Sequence, residues 1–354
     1  MSRKLISIST IMTLMSTSVM ADVPNVAADI APVHSLVSRV MDGVGEPKLV
    51  IQSGASPHGY RLRPSEAKAL QDANLIFWMG EELTPWLDGA IDTLASNASV
   101  TSLLDQEGVV LHDFREGVLF EAHDHSAHDD HDDHDDHDDH KDHDDHDDHD
   151  DHDDHDDHKD HDDHDDHKDH NDHDDHDDHD DHGHGAHDPH AWLSPENAKL
   201  WLNIIASKLS VADPENAATY FTNAAAGQAE IEEMISEVSA TLKPVKDGKF
   251  VVFHDAYQYF ENDFDFYASG AISLSDASDP SPARIAKVQR RIRDEGIQCV
   301  LAEPQFKQGL VATVMEGSEA TASVIDPLGA DIKPGPKLYT QLIKNMAKTL
   351  RDCL

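Results

Sequence analysis

The chain has 354 residues and a formal net charge of −44, with 71 acidic residues against 27 Lys and Arg. An excess of negative charge this large excludes nucleic acid as a partner, because nucleic-acid-binding surfaces are basic. The charge is unevenly spread: residues 123–187 hold 33 Asp and three Lys, so they carry −30 and the rest of the chain carries −14.

The first 21 residues have the features of an export signal. The basic start Ser2-Arg3-Lys4 precedes a mostly apolar run from Leu5 to Met20, which ends in Val19-Met20-Ala21. This pattern predicts a signal peptide that is cleaved after Ala21. The alternative, a membrane anchor, is disfavoured because the run is shorter than the ~20 apolar residues that span a bilayer. We therefore expect an exported, soluble mature protein.

Predicted strands alternate with predicted helices on both sides of the acidic segment. The predicted strands are 48–53, 74–79, 250–253, 299–302 and 323–325. The predicted helices are 64–72, one starting near Ser194, a long one over 214–242, one from about 256 and one starting at Ser281. Such alternation is typical of parallel sheets. The sequence predicts an α/β fold with two lobes, each a parallel β-sheet flanked by helices, joined by a long rigid helix.

This architecture divides the chain into five parts. They are a signal peptide over 1–21, an N-terminal lobe over 22–122 plus 188–213, an insertion over 123–187, a linking helix over 214–243 and a C-terminal lobe over 244–354.

The insertion repeats the triplet His-Asp-Asp and holds 23 of the chain's 28 His. A period of three matches neither a helix nor a strand, and the segment has almost nothing to bury. We therefore predict that it is disordered without a ligand. Two roles stay open: a low-affinity metal store or sensor, and a solvated spacer. The His content favours metal binding.

Four polar residues stand at the ends of predicted strands, where open α/β sheets bind ligands. One of them is Glu303, which follows 299–302. His58 follows the strand ending at residue 53, His254 follows 250–253 and Asp326 follows 323–325. His190 lies just before the helix that starts near Ser194. Three His and one oxygen ligand form a tetrahedral set that suits zinc.

Other polar residues have a simpler interpretation. A lone His after a strand is more often structural than a ligand, and we read His34 and His112 in this way. Glu82 and Glu303 are read as surface or hinge carboxylates. The chain's two cysteines, Cys299 and Cys353, are expected to form a disulfide after export, with two buried free thiols as the alternative.

Five motifs resemble those of the periplasmic zinc-binding proteins of bacterial zinc-uptake ABC transporters. They are Gly54-Ala-Ser-Pro-His-Gly-Tyr60, Asp188-Pro-His-Ala-Trp-Leu-Ser194, Phe253-His-Asp-Ala-Tyr257, Ala302-Glu-Pro-Gln-Phe306 and Ile325-Asp-Pro-Leu-Gly329. The likeness covers nearly all of the mature chain. It implies that His58, His190 and His254 bind zinc. It also implies a C-terminal disulfide, because Cys299 and Cys353 stand where some members have theirs.

The fourth zinc ligand is left open by the resemblance. Some members use a Glu just before the first His, and Pro57 stands at that position here. Asp326, a water molecule or a His of the insertion are the candidates, and Asp326 is our choice.

The resemblance implies a monomeric periplasmic solute-binding protein that captures Zn²⁺ and delivers it to the permease of an ABC transporter, with no enzymatic activity. A manganese or iron receptor of the same fold would replace the third His by a carboxylate, so His254 argues against it. A zinc hydrolase needs a general base beside a metal-bound water, and the sequence has no His-Glu-x-x-His. A passive metal buffer would not need two folded lobes.

Overall fold

The computed structural model of the protein describes residues 23–115, 120, 187–273, 280–305 and 308–354. The predicted signal peptide lies outside these residues, and so does the insertion except for His187. Within the described part of the chain, no helix combines the length and the apolar content that a membrane span requires.

The N-terminal lobe contains a four-stranded parallel sheet with the order β2-β1-β3-β4. Its strands are β1 (Val26–Ala28), β2 (Lys48–Leu49), β3 (Leu75–Trp78) and β4 (Ser99–Ser102). The two central strands, β1 and β3, are buried along their whole length. The predicted strand 48–53 is reduced to the two residues of β2, an edge strand that pairs with β1.

Four helices flank this sheet: α1 (Ala31–Val40), α2 (Pro64–Gln71), α3 (Pro85–Leu94) and α4 (Pro195–Ala212). The start of α4 is set by a side-chain cap. The Ser194 hydroxyl accepts the backbone N–H of Asn197 at 3.2 Å, and Pro195 occupies the first helical position, where its missing N–H costs nothing.

A helix of 26 residues, α5 (Ala217–Leu242), follows the N-terminal lobe. It begins three residues after the predicted start because residues 214–216 form a 3₁₀ turn. Its buried residues Tyr220, Ala224, Ile231, Met234 and Val238 recur at helical spacing. They pack into a core that is continuous from the first lobe to the second.

The C-terminal lobe contains a second four-stranded parallel sheet, with the order β6-β5-β7-β8. Its strands are β5 (Phe250–His254), β6 (Ala271–Ser273), β7 (Cys299–Ala302) and β8 (Thr321–Val324). Its helices are α6 (Gln258–Phe264), α7 (Pro282–Glu295), α8 (Gln308–Met315) and α9 (Leu338–Cys353). Two parallel sheets flanked by helices and linked by α5 confirm the predicted α/β architecture.

A disulfide joins Cys299 of β7 to Cys353 of α9, with their Cα atoms 5.7 Å apart. It ties the last helix to the sheet of the C-terminal lobe. The structure also refines two strand ends. His254 is the last residue of β5 instead of the residue after it, and β8 ends at Val324, two residues before Asp326.

Candidate metal centre

Three histidine side chains converge between the two lobes. His58 lies on the loop between β2 and α2, His190 precedes a 3₁₀ turn at Ala191–Leu193, and His254 ends β5. One ring nitrogen from each lies within 4.8 Å of the others. The Nε2 atoms of His58 and His190 are 3.3 Å apart, and the rings of His190 and His254 are 5.3 Å apart between centroids. Three imidazole nitrogens at this spacing fit a single metal ion.

A buried carboxylate orients His190. Asp188 Oδ1 lies 2.6 Å from His190 Nδ1 and accepts the His190 backbone N–H at 3.0 Å. Burial raises the pKa of Asp188 to about 6, and the bond from the His190 backbone opposes that rise. An imidazole whose Nδ1–H donates to a carboxylate presents the lone pair of Nε2 to a metal. Nε2 is also the atom of His190 that faces His58.

A second buried carboxylate orients His254 in the same way. Glu303 Oε1 lies 2.5 Å from His254 Nδ1, and Gln305 Nε2 donates to Glu303 Oε2 at 2.8 Å. Glu303 stands directly after β7, which pairs with β5, so the two side chains share the carboxyl edge of one sheet. Burial, followed by the charge of Glu303, raises the pKa of Tyr257 well above its usual value, so its hydroxyl stays neutral beside the site.

The loop that carries His58 is held on both sides of this residue. The indole N–H of Trp86, on α3, donates to the Pro57 carbonyl at 2.7 Å. The hydroxyl of Tyr60 donates to Glu66 at 2.8 Å, and Glu66 also caps the start of α2. His58 itself is half-buried, whereas His190 and His254 are buried.

Asp326, predicted as the fourth ligand, is not a member of the histidine group that the described residues form. Its Oδ1 accepts the backbone N–H groups of Leu328 and Gly329 at 3.0 and 2.9 Å, and its Oδ2 accepts that of Ala330 at 2.5 Å. The carboxylate therefore holds the turn that follows β8. Its role as a zinc ligand stays a prediction.

The other two histidines of the lobes are engaged elsewhere, as a structural role requires. His34 Nε2 lies 3.1 Å from the Pro47 carbonyl, and burial lowers the pKa of His34. His112 packs its ring against Tyr259, with centroids 4.7 Å apart, and its Nε2 is 3.2 Å from Asn262 Nδ2.

Sequence reasoning missed three residues next to the site. Asp188 was not identified as a partner of a histidine ring. Glu303, read as a surface or hinge carboxylate, is instead buried and bonded to His254. Arg115, whose side chain binds both Asp255 and Glu261, gave no signal in the sequence.

Comparison with known proteins shows which family the sequence matches. Residues 26–353 match the family described as ZnuA, zinc-uptake complex component A, periplasmic. The chain is 48% identical over 329 residues to the high-affinity zinc uptake system protein ZnuA of Brucella abortus (strain 2308), covering 93% of this chain and 91% of that protein. It is 43% identical over 335 residues to the ZnuA protein of Paracoccus denitrificans (strain Pd 1222), covering 94% and 93%.

A crystal structure of ZnuA shares the fold, with a TM-score of 0.66 and 19% sequence identity, covering 94% of this chain and 99% of that chain. The match over nearly the whole chain and the identity to the Brucella and Paracoccus proteins show that the chain belongs to the ZnuA family of periplasmic zinc-uptake components.

Proposed function

We propose that this protein captures Zn²⁺ in the periplasm through His58, His190 and His254 and delivers the ion to the membrane permease of an ABC zinc-uptake transporter. The observation that carries the proposal is the convergence of three imidazoles from both lobes, two of them held by buried carboxylates. Membership of the ZnuA family supports zinc as the cargo and makes the protein a transport receptor, not an enzyme.

The ligand set favours zinc over the metals of the alternative receptors. Three neutral imidazoles suit zinc, whereas manganese prefers oxygen ligands. A tetrahedral zinc ion bound by His58, His190 and His254 has room for one more ligand. In zinc proteins, a carboxylate commonly accepts the ring N–H of a zinc-binding imidazole and orients it, as Asp188 and Glu303 are placed to do here.

Asp326 is our candidate for the fourth ligand, with a water molecule and a His of the insertion as alternatives. Its two oxygens offer about four acceptor positions, and three backbone N–H groups use three of them. One position is left for a metal.

We further propose that the chain reaches the periplasm through a signal peptide cleaved after Ala21 and works as a monomer. The basic and apolar pattern of residues 1–21 supports export. Mass spectrometry of protein purified from the periplasm tests the cleavage site, and light scattering tests the monomer.

The zinc site is tested by removing its ligands one at a time. A weak chelator first strips loosely bound zinc from the full chain, and the retained zinc is then counted. His58→Ala, His190→Ala and His254→Ala should each abolish tight binding, since each removes a zinc ligand. The matched control His112→Ala, a histidine outside the group, should keep one zinc per chain. Tight zinc in the triple variant would show that the assignment is wrong.

The fourth ligand is tested by Asp326→Asn with X-ray absorption on the bound zinc. Loss of an oxygen neighbour with a large fall in affinity would support direct binding. An unchanged set of zinc neighbours would assign Asp326 to the turn alone.

A further inference from the structure

The two ends of the insertion form a paired stem in the folded part of the protein. We define the stem as residues 112–115 and 187–188. Asp113 and His187 form an isolated antiparallel bridge, and the backbone N–H of Asp188 donates to the His112 carbonyl at 2.8 Å. The second strand of the stem leads within two residues to His190. The stem is therefore continuous in sequence with one of the proposed zinc ligands.

The stem is bound to the C-terminal lobe through α6. The buried hydroxyl of Tyr259 accepts the backbone N–H of His112 at 3.1 Å and donates to the Asp188 carbonyl at 2.7 Å. One side chain of the second lobe thus bonds to both strands of the stem.

Arg115 makes the stronger connection between the stem and the second lobe. Its Nε donates to Asp255 Oδ2 at 3.0 Å, and its Nη1 donates to Glu261 Oε2 at 2.5 Å. The side chains of Arg115, Asp255 and Glu261 are 17%, 8% and 1% exposed. The ring of Phe120 covers the guanidinium at 3.6 Å. Ion pairs that are this well shielded are screened little by salt, and the planar guanidinium fixes their geometry.

The two partners of Arg115 lie close in sequence to His254. Asp255 follows His254 in the chain, and Glu261 is on the first turn of α6. In the part of the chain that the structure describes, no other Lys or Arg pairs with either carboxylate. Arg115 therefore joins the segment that ends in His190 to the segment that contains His254.

We propose that Arg115 is a positioning residue for the metal centre: by binding Asp255 and Glu261 it fixes the spacing of His190 and His254 and slows the release of zinc. The inference rests on the proposed zinc site. Loss of an outer-shell partner typically changes metal affinity by about 10–100-fold. Because Arg115 acts one contact further out, we expect a change of about tenfold, mainly in the dissociation rate.

The test compares zinc release from full-length variants. Each protein is loaded with zinc, stripped of loosely bound ions and mixed in a stopped-flow instrument with an excess of a chromophoric chelator. Arg115→Gln should release zinc about tenfold faster than the wild type. The release rate of Arg115→Lys should lie between those of the wild type and Arg115→Gln, because an ammonium keeps the charge but cannot span both carboxylates. The visible spectrum of bound Co²⁺ should shift in both variants, since it reports the geometry of the ligands.

Arg39→Gln is the matched control. Arg39 is 14% exposed and donates two N–H bonds of 3.0 Å to Glu230, between α1 and α5. Losing this ion pair should leave zinc release and the Co²⁺ spectrum unchanged.

Two results separate failure of this inference from failure of the proposed site. If His254→Ala loses tight zinc while both Arg115 variants keep the wild-type release rate and Co²⁺ spectrum, Arg115 only stabilises the fold and the inference is wrong. If His254→Ala keeps tight zinc, the proposed site is wrong and the inference falls with it. Should Arg115→Gln fail to fold, Arg115→Lys decides the question.

Discussion

The bond between Glu303 and His254 gives a quantitative prediction for zinc affinity. Glu303→Gln keeps the shape of the side chain and one oxygen acceptor but removes the negative charge that faces His254 Nδ1. The Glu303 side chain is 0% exposed, so solvent does not replace the lost interaction. A hydrogen bond to a charged group contributes about 1.5–3 kcal/mol, and each 1.4 kcal/mol corresponds to a factor of about ten.

We therefore expect the zinc dissociation constant to rise by about 10–100-fold. Glu303→Gln should lie at the lower end of this range, because its amide oxygen still accepts a bond. Glu303→Ala should lie at the upper end, because it leaves the Nδ1–H of a buried imidazole without an acceptor. Titration against a chromophoric chelator at neutral pH measures both values.

The control for this prediction is Glu319→Gln, which removes a charge from an exposed position of the same lobe. It should bind zinc as the wild type does. The reasoning is refuted if Glu303→Gln also binds with wild-type affinity while His254→Ala does not, since the carboxylate would then play no part in orienting the imidazole.

Reduction of the Cys299–Cys353 disulfide, which spans 54 residues of sequence, should lower stability by about 4 kcal/mol and leave one tight zinc site. Calorimetry with and without reductant measures the loss of stability. Two reactive thiols in the native protein would show that the disulfide is absent. Deletion of 123–187 should remove several weak zinc sites and keep the tight one; an unchanged calorimetric stoichiometry would favour the spacer role. Burial raises the pKa of Asp29 to about 7 from 3.8, so the native state holds a proton that the unfolded chain releases at lower pH. As the pH rises from about 4 to about 7, the free energy of unfolding of the wild type should therefore fall relative to that of Asp29→Asn. Urea unfolding that shows the same difference between the two proteins at every pH would contradict this.

Local sequence patterns predict the capped helix starts of this fold but not the elements that lack a pattern of their own. The Ser-Pro starts at Ser194 and Ser281 place α4 and α7 correctly, because a cap depends on residues close in sequence. In contrast, β1 and β6 have three residues each and β4 reads Ser-Val-Thr-Ser, so none of them has a pattern of its own. These strands exist because they pair with distant segments, and pairing does not show in a short window of sequence.

The sequence predicts those residues of the site that follow a predicted strand or lie in a motif. His58, His190 and His254 stand in such places, and the structure brings their rings together. Arg115 lies in a loop, and its partners are 140 and 146 residues away on the far side of the insertion. No periodicity or spacing links residues at that separation, so only the folded chain shows the contact.

The continuous core limits how this site opens. Apolar side chains of both lobes pack in one cluster around α5, so a hinge motion of whole lobes would expose them to water. Bonds between the lobes add to this limit: the indole N–H of Trp192 donates to the Pro327 carbonyl at 2.8 Å, and the Tyr339 hydroxyl donates to the Trp192 carbonyl at 3.0 Å.

The three proposed ligands differ in exposure within this rigid frame. His190 and His254 are 5% and 3% exposed, and each is bonded to a buried carboxylate. His58 is half-buried on a loop between an edge strand and α2. Because the lobes resist separation, the part of the site nearest to solvent is the side on which His58 lies.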